Sequence, residues 1–173
     1  ILLLSCSQSP ETGEWPNILF IMADDHTTQA ISCYEGIFAE KARTINVDRI
    51  AAEGMRFTRV FCTNSICSPS RATILTGKYS HKNGLYRLGQ SFDTSQIIST
   101  RILREAGYQT AVFGKWHLRC TPADFDDYKV LPLQGRYRDP QFHEPGSDSL
   151  LTYEGWSTDL IADFTMDYLR NRD

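Results

Sequence analysis

The residues Cys67-Ser68-Pro69-Ser70-Arg71 carry the densest chemistry in the chain. Pro69 suits the first turn of a helix, which would leave the backbone N–H groups near Ser70 and Arg71 open to an anion. Arg71, four residues beyond Cys67, can lie beside it and offer a planar fork to a tetrahedral oxyanion. A nucleophile at a helix start with an adjacent Arg suits attack on a sulfate or a phosphate. Taken alone, a free Cys is more often a small buried hydrophobe than a catalyst.

Two further groups could join that chemistry. Asp24 and Asp25 follow the apolar run Asn17–Ala23, and adjacent carboxylates repel unless a cation or donors sit between them. Their oxygens suit a hard divalent ion such as Ca²⁺ or Mg²⁺, although an isolated Asp-Asp pair also describes a solvated turn. Lys115 and His117 stand two apart just past another strand-like segment, so both can face one way. A Lys can neutralise an anionic ester oxygen, and a His can deliver a proton to a leaving group. As a lone pair they would also fit a surface Lys beside a partly buried His.

These residues need elements to position them. Asn17–Ala23 reads as a strand buried on both faces of a parallel sheet, with Asp24 and Asp25 at its carboxyl end. Asn46 can cap a short helix through Val47, Ile50 and Ala51 that Gly54 ends. Residues 56–62 alternate as a second strand, and Pro69 to Gly77 forms the helix that follows the cysteine motif. Asp93 and Gln96 make a capping box for a helix through Ile98 and Leu103, stopped by Gly107. Tyr108–Phe113 is a third strand, 122–155 a long aromatic loop, and Thr158–Arg170 an amphipathic helix. Strands alternating with helices imply an α/β layered fold.

Composition sets the outer limits. The chain has 173 residues, 18 Lys+Arg against 21 Asp+Glu, a net charge of −3 and 41% hydrophobic residues. A slightly acidic balance argues against a nucleic-acid binder, which needs clustered Lys and Arg. No apolar run reaches the roughly 20 residues that span a bilayer. The 5 cysteines cannot all pair within the chain. Cys62 and Cys67 are spaced too loosely for a zinc knuckle, while Cys33 and Cys120 read as buried thiols or, in an exported protein, as a pair. His81 is better placed than His26 or His143 to approach a substrate. The aromatic residues Phe125, Tyr128, Tyr137, Phe142, Tyr153 and Trp156 could floor a sugar site or pack under the loop. At the start, Ile1-Leu2-Leu3-Leu4-Ser5-Cys6 reads as the end of a signal peptide or as a frayed apolar terminus. Both ends of the chain read as those of a fragment.

Together, CSPSRATILTG at 67–77, NILFIMADDH at 17–26 and GKWHL at 114–118 resemble the sulfatase family of the alkaline phosphatase superfamily, in the family's order. The resemblance implies a three-layer α/β/α fold with a mostly parallel central sheet, incomplete in this chain, and a catalytic domain beginning at residue 16 after a 1–15 leader and linker. It implies oxidation of Cys67 to formylglycine by a maturation enzyme. The hydrated aldehyde carries the nucleophilic oxygen that attacks sulfur, and its second hydroxyl later expels sulfate. Asp24, Asp25 and the modified Cys67 would ligate one Ca²⁺. Arg71, Lys115 and His117 would complete the catalytic set.

The contexts Lys78–His81 and Glu154–Trp156 resemble glycan-degrading members, including glucosamine-6-sulfatases, and imply a sulfated carbohydrate substrate. Leu4-Ser5-Cys6 is similar to a bacterial lipobox, which implies a lipid anchor at Cys6 and a place in the periplasm or outer membrane. Phosphonate or phosphate ester hydrolysis within the superfamily, and non-catalytic binding of sulfated glycan, are the rival expectations. The family's further metal-ligand pair, Lys and His have no counterpart after His117, so these 173 residues alone are expected to be inactive.

Overall fold

A computed structural model describes residues 15–171. The expected lipid-attachment residue Cys6 and nearly all of the 1–15 leader lie outside them. The chain divides into two compact units between Phe57 and Thr58.

The first unit is a polar construction. Two short 3-10 turns, Thr28–Ala30 and Ser32–Tyr34, precede helix α1, Ile45–Glu53. Asp48, in the first turn of α1, ties them together. Its carboxylate accepts from the Ser32 hydroxyl at 2.6 Å, the Cys33 amide at 2.9 Å and the Thr44 hydroxyl at 3.0 Å. These bonds, the Ser32 hydroxyl's foremost, outweigh desolvation and hold the Asp48 carboxyl below its ordinary pKa. The residue preceding α1 is Thr44, and Asn46 lies inside the helix rather than capping it. Gly36 is required by close approach, because a Cβ there would sit 2.5 Å from the Gln29 Cα.

The expected strand at 17–23 is not formed. A strand exists only through its ladder, and residues 17–23 have no strand partner among the described residues. Ile18, Leu19, Phe20 and Ile21 are accordingly exposed. Residues 56–62 likewise carry no ladder, and Phe57, Val60 and Phe61 face solvent.

The second unit holds the apolar core. Helix α2 spans Cys67–Thr76, α3 Ser80–Asn83 and α4 Ser99–Glu105. Strand β1, Ala111–Lys115, pairs in parallel with β2, Asp127–Leu131, in a register that sets Lys115 opposite Leu131. Short β3, Gln141–Phe142, pairs antiparallel with β4, Leu151–Thr152, and a bridge from Val130 to His143 joins β3 to β2. Helix α5, Ser157–Asn171, packs on β1. The expected loop at 122–155 thus contains three strands. Its alternation is interrupted by Pro132, Pro140 and several glycines, which mask strands this short.

The core comprises Ala72, Leu85, Phe92, Ile98, Trp116, Leu118 and Val130. Burying each of the larger side chains contributes roughly 1.5–3 kcal/mol. Beneath α5, Phe142 is fully buried and meets Phe164 and Tyr153 edge-on, with centroids 5.2 and 5.8 Å away. Asp126 fastens the entry to β1. Its carboxylate accepts from the Thr110 amide at 2.8 Å, the Thr110 hydroxyl at 3.0 Å and Arg104 Nε at 2.9 Å. Asp93 forms a local turn with Ser95 rather than a capping box, and α4 begins only at Ser99. Cys33 and Cys120 are free thiols, as are Cys62 and Cys67. No described helix is long and apolar enough to cross a membrane.

Candidate active site

Helix α2 begins at Cys67, with Pro69 in its first turn and Gly77 closing it in a left-handed conformation at φ 65°. The sequence folds this way because Pro69 pre-sets a helical φ and lacks an N–H that the first turn could not use. Cys67 is thereby fixed at the helix start, half-buried. Lys115, the last residue of β1, places its Nζ 3.5 Å from Cys67 Sγ.

Two side chains lock α2 to the segment after β1. Arg71 donates through Nη1 to the Lys115 carbonyl. Ser68, 1% exposed, donates its hydroxyl to the His117 carbonyl at 2.6 Å. His117 is itself buried and adopts a left-handed backbone at φ 55°, uncommon for a residue with a Cβ. A further bond from the Phe92 amide to the Leu118 carbonyl, 2.9 Å, holds the next residue. Trp116 anchors the same loop by donating its indole N–H to the Cys120 carbonyl at 2.7 Å. Burial pushes the Cys120 thiol pKa up, leaving a packing residue rather than a reactive one.

The structure therefore brings together Cys67, Arg71 and Lys115, and ties the His117 backbone to the same helix through Ser68. Ser68 belongs with them and was missed by sequence reasoning. The available signal was a hydroxyl in the first turn of a helix whose neighbours all carry chemistry. His81 stacks on Tyr79, with ring centroids 5.8 Å apart. Asp24 and Asp25 lie in the first unit, both exposed, with Asp25 left-handed at φ 54°. Their hard oxygens fit a divalent ion in kind. Among the described residues, however, no group of three or more His, Cys, Asp or Glu converges as a metal cage, and Ca²⁺ takes 6–8 oxygens.

A cysteine at a helix start, within reach of a lysine and backed by an arginine, is the arrangement that the CSPSR and GKWH segments predict. A family model described as Sulfatase matches residues 16–173. The chain belongs to the sulfatase family. It is 46% identical to an N-acetylglucosamine-6-O-sulfatase of Bacteroides thetaiotaomicron, over 99% of this chain and 30% of that protein. It is 36% identical to an N-acetylgalactosamine-6-O-sulfatase of the same organism, over 73% of this chain and 26% of that one. The structure of BT4656 in complex with its substrate D-glucosamine-2-N,6-O-disulfate superposes with a TM-score of 0.88 at 46% identity, covering 92% of this chain and 32% of that one. The fold is thus the α/β sulfatase fold, and the chain spans between about a quarter and a third of the length of these relatives.

Sulfatases work through a formylglycine and a divalent metal ion. The surroundings of Cys67 fit the modified residue: an oxygen-bearing side chain at the same position would accept from Lys115 Nζ, a hard donor poorly matched to sulfur.

Proposed function

We propose that the complete protein hydrolyses a sulfate ester of an amino sugar, with the 6-O-sulfate of N-acetylglucosamine as its substrate. The observation that carries this reading is the ammonium of Lys115 held 3.5 Å from the side chain of Cys67 at the start of α2. The Bacteroides thetaiotaomicron relatives that remove 6-O-sulfates from amino sugars support the choice of ester.

In the reaction the S–O bond to the sugar breaks, one water is consumed, and the products are the sugar alcohol and sulfate. Formylglycine derived from Cys67 supplies the oxygen nucleophile. Lys115 lies where it can neutralise the ester's non-bridging oxygens as charge builds on the sulfuryl group. Arg71, anchored to the Lys115 carbonyl through one Nη, adds fixed positive charge behind the same point. His117 gives a proton to the departing sugar oxygen, or holds it by a hydrogen bond. Its backbone is set by the Ser68 hydroxyl, which fixes the point from which the ring is carried.

We further propose that Asp24 and Asp25 hold a Ca²⁺ ion, and that residues 1–15 carry an export signal with a lipid anchor at Cys6. Both assignments rest on the sequence motifs, and the periplasm or outer membrane follows from the second. A formylglycine-generating enzyme is the implied maturation partner.

The test co-expresses the complete reading frame with such an enzyme. It measures the mass of the peptide bearing residue 67 and the sulfate released from N-acetylglucosamine 6-sulfate. Modified protein should release sulfate, and Cys67→Ala and Lys115→Ala should abolish or nearly abolish release. Faster cleavage of a matched phosphate ester, or modified protein that leaves the sulfate intact, would overturn the proposal.

A further inference from the structure

The aromatic residues between 125 and 156 divide into two classes. Phe142, Tyr153 and Phe164 interlock under α5 and belong to the core. Tyr137 and Trp156 do not: they are 80% and 56% exposed. Single exposed aromatics are ordinary, but these two share a rigid platform. The Ser157 amide donates to the Tyr137 carbonyl at 2.8 Å, the Asp139 amide to the Gly155 carbonyl at 2.8 Å, and the Gly155 amide to Asp139 Oδ1 at 2.9 Å. Arg138 and Trp156 form a bridge between these two segments, and the Arg138 guanidinium lies 5.8 Å from the Trp156 ring centroid. Arg136 is exposed beside them.

The platform's location follows from topology. Because β1 and β2 are parallel and end together at Lys115 and Leu131, the residues that follow each strand emerge at one edge of the sheet. Lys115 and His117 stand at that edge on β1. Residues 132–140 leave the same edge from β2 and return into β3, so Tyr137, Arg138 and the paired Trp156 project from it as well. Tyr137 and Arg138 lead into β3, two positions from β1 through the Val130–His143 bridge, and Trp156 follows β4, three positions away, which sets them roughly 10 and 14 Å to the side of Lys115 at ordinary strand spacing. Either separation exceeds the width of one sugar ring.

We propose that Trp156, Tyr137, Arg136 and Arg138 form a second carbohydrate subsite, one that holds a neighbouring sugar unit of an anionic glycan chain. The inference rests on the sulfatase reading for its substrate class and adds that the substrate is a chain rather than a single sugar. The indole and phenol rings offer flat apolar faces to the C–H face of a pyranose, and the guanidinium groups offer planar forks to carboxylate or sulfate substituents. The hydrogen-bonded loops hold both in place before binding, which reduces the entropy lost on association.

The test uses the complete protein and an N,6-O-sulfated glucosamine–uronate tetrasaccharide, with binding measured by calorimetry and, separately, sulfate release from N-acetylglucosamine 6-sulfate. Trp156→Ala should weaken tetrasaccharide binding about threefold to tenfold, the range expected for losing one aromatic stacking contact. Trp156→Phe should recover most of that loss, and Arg136→Ala should weaken binding and flatten its salt dependence. Release from the monosaccharide should be unchanged in all three. A Trp156→Ala protein that binds the tetrasaccharide as tightly as the unsubstituted one would overturn the subsite, as would a monosaccharide rate that falls in parallel. If the unsubstituted protein binds the tetrasaccharide through Trp156 but never releases sulfate, the sulfatase reading fails and the subsite stands.

Discussion

The two units of the chain are held together by different forces. Residues 15–57 contain no buried residue and are fastened by polar bonds that converge on Asp48. Residues 58–171 close around an apolar core and a second aromatic cluster under α5. Each contains a strand-like run ending in polar residues, Asn17–Ala23 before Asp24-Asp25 and Ala111–Lys115 before His117. Only the second run has a ladder, because β2 lies in register beside it. The candidate side chain Lys115 is therefore fixed in space where its strand is paired. The Asp24-Asp25 pair carries the right chemistry at the end of a run that forms no strand ladder among the described residues.

The largest effect that would sharpen this contrast is Phe142→Ala. The ring is fully buried between Phe164 and Tyr153, and its loss should cost about 3–5 kcal/mol, read as a fall in the urea midpoint at constant slope. A loss below 1 kcal/mol would mean that the α5 cluster is not a core. Ser68→Ala comes next. It leaves the buried His117 carbonyl without its donor, which should cost about 1–3 kcal/mol. It should also lower kcat more than it raises KM, whereas Ser68→Thr, which keeps the hydroxyl, should retain more activity. Equal kcat in Ser68→Ala and the unsubstituted complete protein would show that His117 needs no such support.

The same contrast explains what the sequence disclosed. The residues around the candidate site were legible because their geometry is local. Pro69 fixes the start of α2, Gly77 its end, and the i to i+4 step sets Arg71 beside Cys67. Lys115 could be placed at the end of a strand from the apolar residues before it. The tie from Ser68 to His117 was not legible, since it joins positions 49 apart and depends on the left-handed backbone at 117. The Asn17–Ala23 run shows the opposite failure: its pattern is correct for a buried strand, but a pattern states a propensity and pairing must come from elsewhere. The strands within 122–155 were hidden because two-residue β3 and β4 are too short to alternate.

Asp126 offers a test by pH. Burial opposes ionisation of its carboxyl, but the bonds from Thr110 and the charge of Arg104 prevail and hold its pKa below the ordinary value. With the folded pKa depressed, the stabilisation is present above the unfolded carboxyl's value, near 4, and is lost as pH falls through the lowered one. Asp126→Asn should remove about 1 kcal/mol at neutral pH, at the modest end because the side chain is 40% exposed and water screens it. The variant's stability should also fall less steeply below pH 4 than that of the unsubstituted protein. Parallel acid limbs would assign the clamp to geometry rather than charge.

The smallest expected effect can break the comparison outright. Phe20 is as large as Phe142 and sits in an apolar run, yet it is 68% exposed. If residues 17–23 form no strand ladder in the folded protein, Phe20→Ala removes little buried area and should change the unfolding free energy, read from the urea midpoint, by no more than about 0.5 kcal/mol. It should also reduce binding of an apolar dye, because Ile18, Leu19, Phe20 and Ile21 together expose more contiguous apolar surface than scattered single residues would. A core-sized loss measured on the complete protein, alongside a similar loss for Phe142→Ala, would mean that the run is paired there. Asp24 and Asp25 would then stand at the end of a paired strand, as Lys115 does, and the two units would differ in degree rather than in kind.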